Sequence, residues 1–226
     1  LKELGRLDEA ETSYTQAIAL KPNFAEAQNN LGNTLKELGR LNEALASYNQ
    51  AIASKPDFAE AHNNLGNALI EVGRFDEAEA RYIQAIALKP DFAEAYRMLT
   101  KIKKFDAQDE RYSLMHQLYL DEKISDKQRC NINFALAKVC EDLGNFEQAY
   151  THYVEGNALR KKLSKYDFND YVELFRKLKS NYTQIAQNSL TPDIVPINLM
   201  PIFIVGMPRS GTTLVEQIIS SHSEVT

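Results

Sequence analysis

A chain of 226 residues with 26 Lys+Arg against 31 Asp+Glu, net charge −5, has room for one large or two small domains and lacks the basic excess of a nucleic-acid partner. Hydrophobic residues make up 44%, enough for packed cores, while no apolar run approaches the length of a membrane helix and no signal peptide opens the chain. Two cysteines, Cys130 and Cys140, lack metal-ligand spacing and are expected as free buried thiols on a helix, in a reducing, cytoplasmic setting.

The first residue is Leu1 and the pattern starts in mid-stride, so a piece of a longer protein is expected. Pro22, Pro56 and Pro90 lie 34 residues apart, as do Gly5, Gly39 and Gly73. Phe24/Phe58/Phe92, Tyr14/Tyr48/Tyr82 and Ala17/Ala51/Ala85 keep the same step. With repeats starting at Ala25 and Ala59, Leu31/Leu65, Gly32/Gly66, Ala44/Ala78, Tyr48/Tyr82, Ala51/Ala85 and Pro56/Pro90 take matching places. This pattern resembles the tetratricopeptide family, which implies paired helices stacked into an α-solenoid. The usual tryptophan is absent; Gln28 and His62 stand there, and His62 reads as a packing residue rather than a ligand.

Small residues (Gly32, Ala44, Ala51) should let the two helices of a repeat approach, with Leu31, Leu35, Leu45 and Ile52 filling the gap. Gly39 and Gly73 sit where a left-handed cap is wanted, and Asn23 and Asp57 are candidate caps of the following helices. Asn30 and Asn64 precede the signature leucine. These repeats resemble those of O-linked N-acetylglucosamine transferase, where that position forms an asparagine ladder, which implies a protein or peptide acceptor or partner on the concave face. A carboxamide both donates and accepts, which suits an extended peptide backbone. Plain polar helix residues, present for solubility, are the equal alternative.

From Ala93 the pattern decays. Ala93–Lys104 reads as one more first helix, with Thr100 in place of the glycine, and Asp109–Leu120 as another helix. A divergent repeat returns over Asp126–Asp142 and Phe146–Leu163, keeping Leu136, Gly144, Ala149, Tyr153 and Gly156. Arg160, Lys161 and Lys162 read as a solvated basic end that favours the helix dipole. Asn169–Gln187 reads as a last helix with an apolar stripe, and Ser189–Met200, with Pro192 and Pro196, as a linker. The domains expected are repeats over 1–163, helix and linker over 164–200, and the start of a second domain over 201–226.

That second domain opens on Pro201-Ile-Phe-Ile-Val-Gly-Met-Pro-Arg-Ser-Gly-Thr-Thr213. Ile202–Val205 suits a strand buried on both faces, and Leu214, Val215, Ile218 and Ile219 recur at helical spacing. Strand, glycine-bounded loop and helix make an anion site, because the amides of a first helical turn lack partners and carry the positive end of the dipole. Gly206 and Gly211 have the spacing of a nucleoside-triphosphate loop, but Thr212 replaces the lysine that reaches the β- and γ-phosphates.

The loop is similar to the 5′-phosphosulfate loop of sulfotransferases that use 3′-phosphoadenosine 5′-phosphosulfate (PAPS), and its arginine form is closer to the tyrosylprotein enzymes. The resemblance covers residues 201–226 and implies a P-loop-like α/β domain, PAPS as co-substrate, and no metal. Carried over, it implies that Arg209 contacts the 5′-phosphate and the bridging oxygen as the catalytic cation. Ser210, Gly211, Thr212 and Thr213 would hold the phosphosulfate. The general base and the 3′-phosphate contacts would follow Thr226, Glu216 would be a surface residue, and His222 takes no catalytic role. The acceptor would be a hydroxyl, of protein tyrosine, a saccharide or a small alcohol. The rivals are a tetratricopeptide interaction scaffold without catalysis, and a nucleotide kinase or NTPase with an unusual loop.

Overall fold

A computed structural model describes residues 6–164 and 168–188, all of whose regular structure is helical. The chain divides into two units, Leu1–Asp167 and Phe168–Thr226. In the first unit the elements are α1 (Leu7–Leu20), α2 (Ala25–Glu37), α3 (Leu41–Ser54), α4 (Ala59–Glu71), α5 (Phe75–Leu88) and α6 (Ala93–Ile102). They continue as α7 (Glu110–Leu120), α8 (Asp126–Asp142) and α9 (Phe146–Leu163). Among the described residues no helix is long and apolar enough to cross a membrane.

The corners follow from the sequence. Gly39, Gly73 and Gly144 have φ of 75°, 77° and 78°, and nothing lies within 4 Å of a Cβ built on any of them. Each closes its helix by the same two bonds; at the first, Gly39 N–H donates to Lys36 and Arg40 N–H to Leu35, at 3.0 and 2.9 Å. Arg40 and Arg74 then fork onto Glu43 and Glu77 at 2.6–2.7 Å, tying down the start of the next helix. The opposite corners carry Lys-Pro-x-Phe. Lys21, Lys55 and Lys89 lie over the rings of Phe24, Phe58 and Phe92 at 5.0–5.1 Å.

The capping expected of Asn23 and Asp57 is absent. The residues flanking α2 and α4 are Phe24 and Phe58, with no side-chain cap. The turn is secured from inside the helix instead: Gln28 donates to the Pro22 carbonyl at 2.6 Å, and His62 Nε2 bonds the Pro56 carbonyl at 3.0 Å. A real capping box opens α8, where Ser125 and Gln128 bond each other reciprocally.

Packing explains the small residues. A Cβ on Gly32 would stand 2.6 Å from Cε1 of Tyr48, and one on Gly66 2.7 Å from Cε1 of Tyr82. Both tyrosines are fully enclosed, as are Ala44, Ala51, Ala78 and Ala85. One apolar core runs from Leu35 through Leu65, Leu69, Tyr96, Leu99 and Met115 to Ile132, Leu136 and Val139. The regular pairing of α2 with α3 and α4 with α5 ends at α6, which packs mainly on α8, while α7 also lies on α8. Thr100, in the glycine's place, is buried there, with His116 rather than tyrosine sixteen residues on.

Cys130 and Cys140 are buried free thiols, as expected. In α8 and α9, Asn133 is fully buried and its Oδ1 bonds His152 Nδ1 at 2.9 Å. The basic end of α9 is not merely solvated: Arg160 stacks on Phe134, and Lys162 pairs with Asp126 at 2.7 Å. The second unit is described by α10 (Phe168–Asn188), whose exposed Tyr171, Leu174, Phe175 and Leu178 recur along one stripe. The linker over 189–200 and the strand, loop and helix expected over 201–219 lie outside the described residues.

Candidate binding face

The first helices of successive repeats carry a row of carboxamides: Asn29, Asn30 and Asn33 on α2, and Asn63, Asn64 and Asn67 on α4. Helical spacing puts the three of each helix on one side. Asn33 and Asn67 are anchored, accepting from the hydroxyls of Tyr48 at 2.8 Å and Tyr82 at 2.7 Å. Burial, the largest effect on each phenol, holds both hydroxyls protonated far above the usual tyrosine range.

Of the two residues singled out by sequence, Asn64 donates from Nδ2 to Asn29 Oδ1 at 3.0 Å, linking the repeats. Asn30 is half-buried, and its carboxamide makes no bond among the described residues; its backbone carbonyl accepts from Thr34 Oγ1 at 3.0 Å. The link therefore runs from Asn64 to Asn29, not to Asn30. The signal for Asn29 was present in the Asn-Asn pair that recurs at 63 and 64. Asn63, in the place of Asn29, has a buried Oδ1 without a partner, because the residue following it by one repeat and one step is Met98, which has no donor.

His62 is 4% exposed, a packing residue as expected. Its bond to a carbonyl requires the Nε2–H tautomer, leaving Nδ1 as a buried acceptor with no donor. Burial first, and then the Arg81 charge, hold the imidazole below the ordinary histidine value despite the Pro56 bond. Among the described residues no three His, Cys, Asp or Glu side chains gather to hold a metal. Arg209, Ser210, Gly211, Thr212 and Thr213 lie outside the described residues.

Residues 1–39, 32–73 and 66–101 match the family model of the TPR (tetratricopeptide) repeat, and residues 201–226 match that of the Sulfotransferase family. An uncharacterized protein of Aquifex aeolicus (strain VF5) is 30% identical over 125 residues, 55% of this chain and 16% of that protein. The chain thus spans about one sixth of that curated relative's length. A crystal structure of MamA superposes with a TM-score of 0.53 at 22% identity, covering 73% of this chain and 95% of that one. A second MamA crystal structure gives 0.51 at 21% identity, covering 74% and 90%. The likeness is one of fold. The repeats of this chain are tetratricopeptide repeats, which support a protein-interaction scaffold, and the regular structure of the described residues is all helical.

Proposed function

We propose that the chain is part of a PAPS-dependent sulfotransferase whose repeats hold the hydroxyl acceptor or a partner protein. The observation that carries this reading is the match of residues 201–226 to the Sulfotransferase family, on a loop that keeps Gly206 and Gly211 but has Thr212 in place of lysine. On this reading Arg209 offsets the negative charge growing on the leaving 5′-phosphate as the sulfuryl group passes in line to the acceptor oxygen. Ser210, Thr212 and Thr213 supply hydroxyl donors, and the amides near Gly211 complete the cradle. PAPS enters as co-substrate. An arginine-type loop together with backbone-gripping amides at Asn30 and Asn64 favours a peptide acceptor, with tyrosine as its hydroxyl.

Titration calorimetry of the full-length protein with adenosine 3′,5′-bisphosphate and with ATP tests this. Binding of the bisphosphate alone supports it. Preference for ATP or silence toward both defeats it. The second reading, a scaffold without catalysis, draws on the tetratricopeptide repeats matched over residues 1–101. It predicts partner capture by the repeats and no nucleotide binding.

A further inference from the structure

Two positions that carry asparagine in the first two complete repeats carry cations in the next. Asn29 and Asn63 are followed 34 residues on by Arg97, and Asn33 and Asn67 by Lys101. Setting Leu136 on the signature leucines puts Phe134 and Lys138 at the same two places on α8. Because α6 packs on α8, these residues meet: Arg97, Lys101, Phe134, Lys138, Tyr153 and Arg160 line one cavity of about 310 Å³.

Four cations thus converge in a chain of net charge −5, and among the described residues only Lys138 has acidic partners. Lys138 pairs with Asp142 at 2.5 Å and Glu141 at 3.7 Å. Arg97, Lys101 and Arg160 make no ion pair among the described residues. The Nε of Arg97 is buried without an acceptor, and Cζ of Arg160 lies over the Phe134 ring, 4.0 Å from its centroid. Burial, and then the charges of Arg97 and Arg160, hold the Lys101 ammonium below the ordinary lysine value. Cations placed only for solubility would spread apart into water. Here they line one cavity, Arg97 half-buried and Lys101 and Arg160 at its exposed rim, close enough to repel one another and short of an anion.

We propose that this cavity receives a tetrahedral oxyanion, a sulfate or phosphate ester, on a side chain of a peptide lying along the first helices. Two guanidinium forks and an ammonium offer more donors than the two oxygens of a carboxylate can accept, whereas a tetrahedral ester presents three free oxygens. A peptide is favoured over a free ion because Asn64 and Asn30, one and two repeats upstream on the first helices, offer carboxamides to its backbone. The proposal stands apart from the transferase reading, since none of its residues lies in the loop.

The test is fluorescence anisotropy of the full chain with one labelled peptide made in four forms, its central residue sulfotyrosine, phosphotyrosine, tyrosine or glutamate. The ester forms are expected to bind at least about tenfold more tightly than the other two, with excess sodium sulfate competing. The tighter ester of the pair identifies the modification read. Arg97→Gln, Lys101→Gln and Arg160→Gln each abolish most of that preference, while Arg209→Ala preserves it. Arg160 is exposed, so its variant serves even if Arg97→Gln fails to fold by circular dichroism. Equal binding of all four peptides, folded cavity variants that bind like the parent, or loss of the preference in Arg209→Ala overturns the proposal.

Discussion

The hydroxyl of Tyr48 donates to Oδ1 of Asn33 across 2.8 Å, binding the second helix of a repeat to the first from inside the core. Asn33 is half-buried, so water can partly replace the bond. Tyr48→Phe is expected to cost about 1 kcal/mol, read as a shift in the urea midpoint at constant slope. Tyr82→Phe should cost a similar amount, since Tyr82 and Asn67 repeat the contact at 2.7 Å.

Gly32→Ala should be worse. The new methyl group would meet the Tyr48 ring at 2.6 Å, and Tyr48 is fully buried and has nowhere to move. Overpacking of this kind costs about 1–3 kcal/mol. Gly39→Ala meets no atom and suffers only from its φ of 75°, for about 1 kcal/mol. Equilibrium unfolding of the two variants side by side checks the order.

His62 makes stability depend on pH in a stated direction. Its value in the folded chain is depressed, so the unfolded chain takes up the proton first as pH falls through the ordinary value of 6.5. Stability is therefore full above that value and declines below it, until the folded-state value is reached. His62→Gln, which copies Gln28 at the same repeat position, should flatten this decline, and thermal melts across the acid range will show it. His116 and His152 are depressed by burial too, so part of the slope should survive the substitution.

Arg209→Ala is expected to leave the helical circular dichroism and the melting of the repeats unchanged. In the full-length protein it should reduce sulfuryl transfer by orders of magnitude, of the size seen when a charge-stabilising donor is removed, about 10²–10³-fold. Turnover equal to that of the unsubstituted protein would defeat the role given to Arg209.

The repeat array was legible because its determinants are local and recur. Gly39 and Gly73 occupy left-handed caps, Gly32 and Gly66 stand against Tyr48 and Tyr82, and α8 and α9 have the bounds read from their patterns. Even the loss of glycine at Thr100 is readable in hindsight, since the tyrosine sixteen residues on is lost with it. What escaped depends on contacts that periodicity does not encode. The Asn64 link reaches back 35 residues rather than 34, because neighbouring helices are offset as well as repeated. Gln28 and His62 fasten to proline carbonyls in place of the caps expected from Asn23 and Asp57. The meeting of Arg97 with Phe134 and Arg160 needed α6 to pack on α8, which no local pattern announces. Residues 201–226 lie outside the described residues.

The Lys-Pro-x-Phe corners bear on how such a chain can change over generations. Splicing out residues 25–58 would set Phe24 directly before Ala59, and His62 would then face the Pro22 carbonyl that Gln28 had held. Nothing at the seam would be chemically new. Gains and losses of 34 residues are therefore nearly silent events for this scaffold, whereas an indel of any other size throws glycine and proline out of step together.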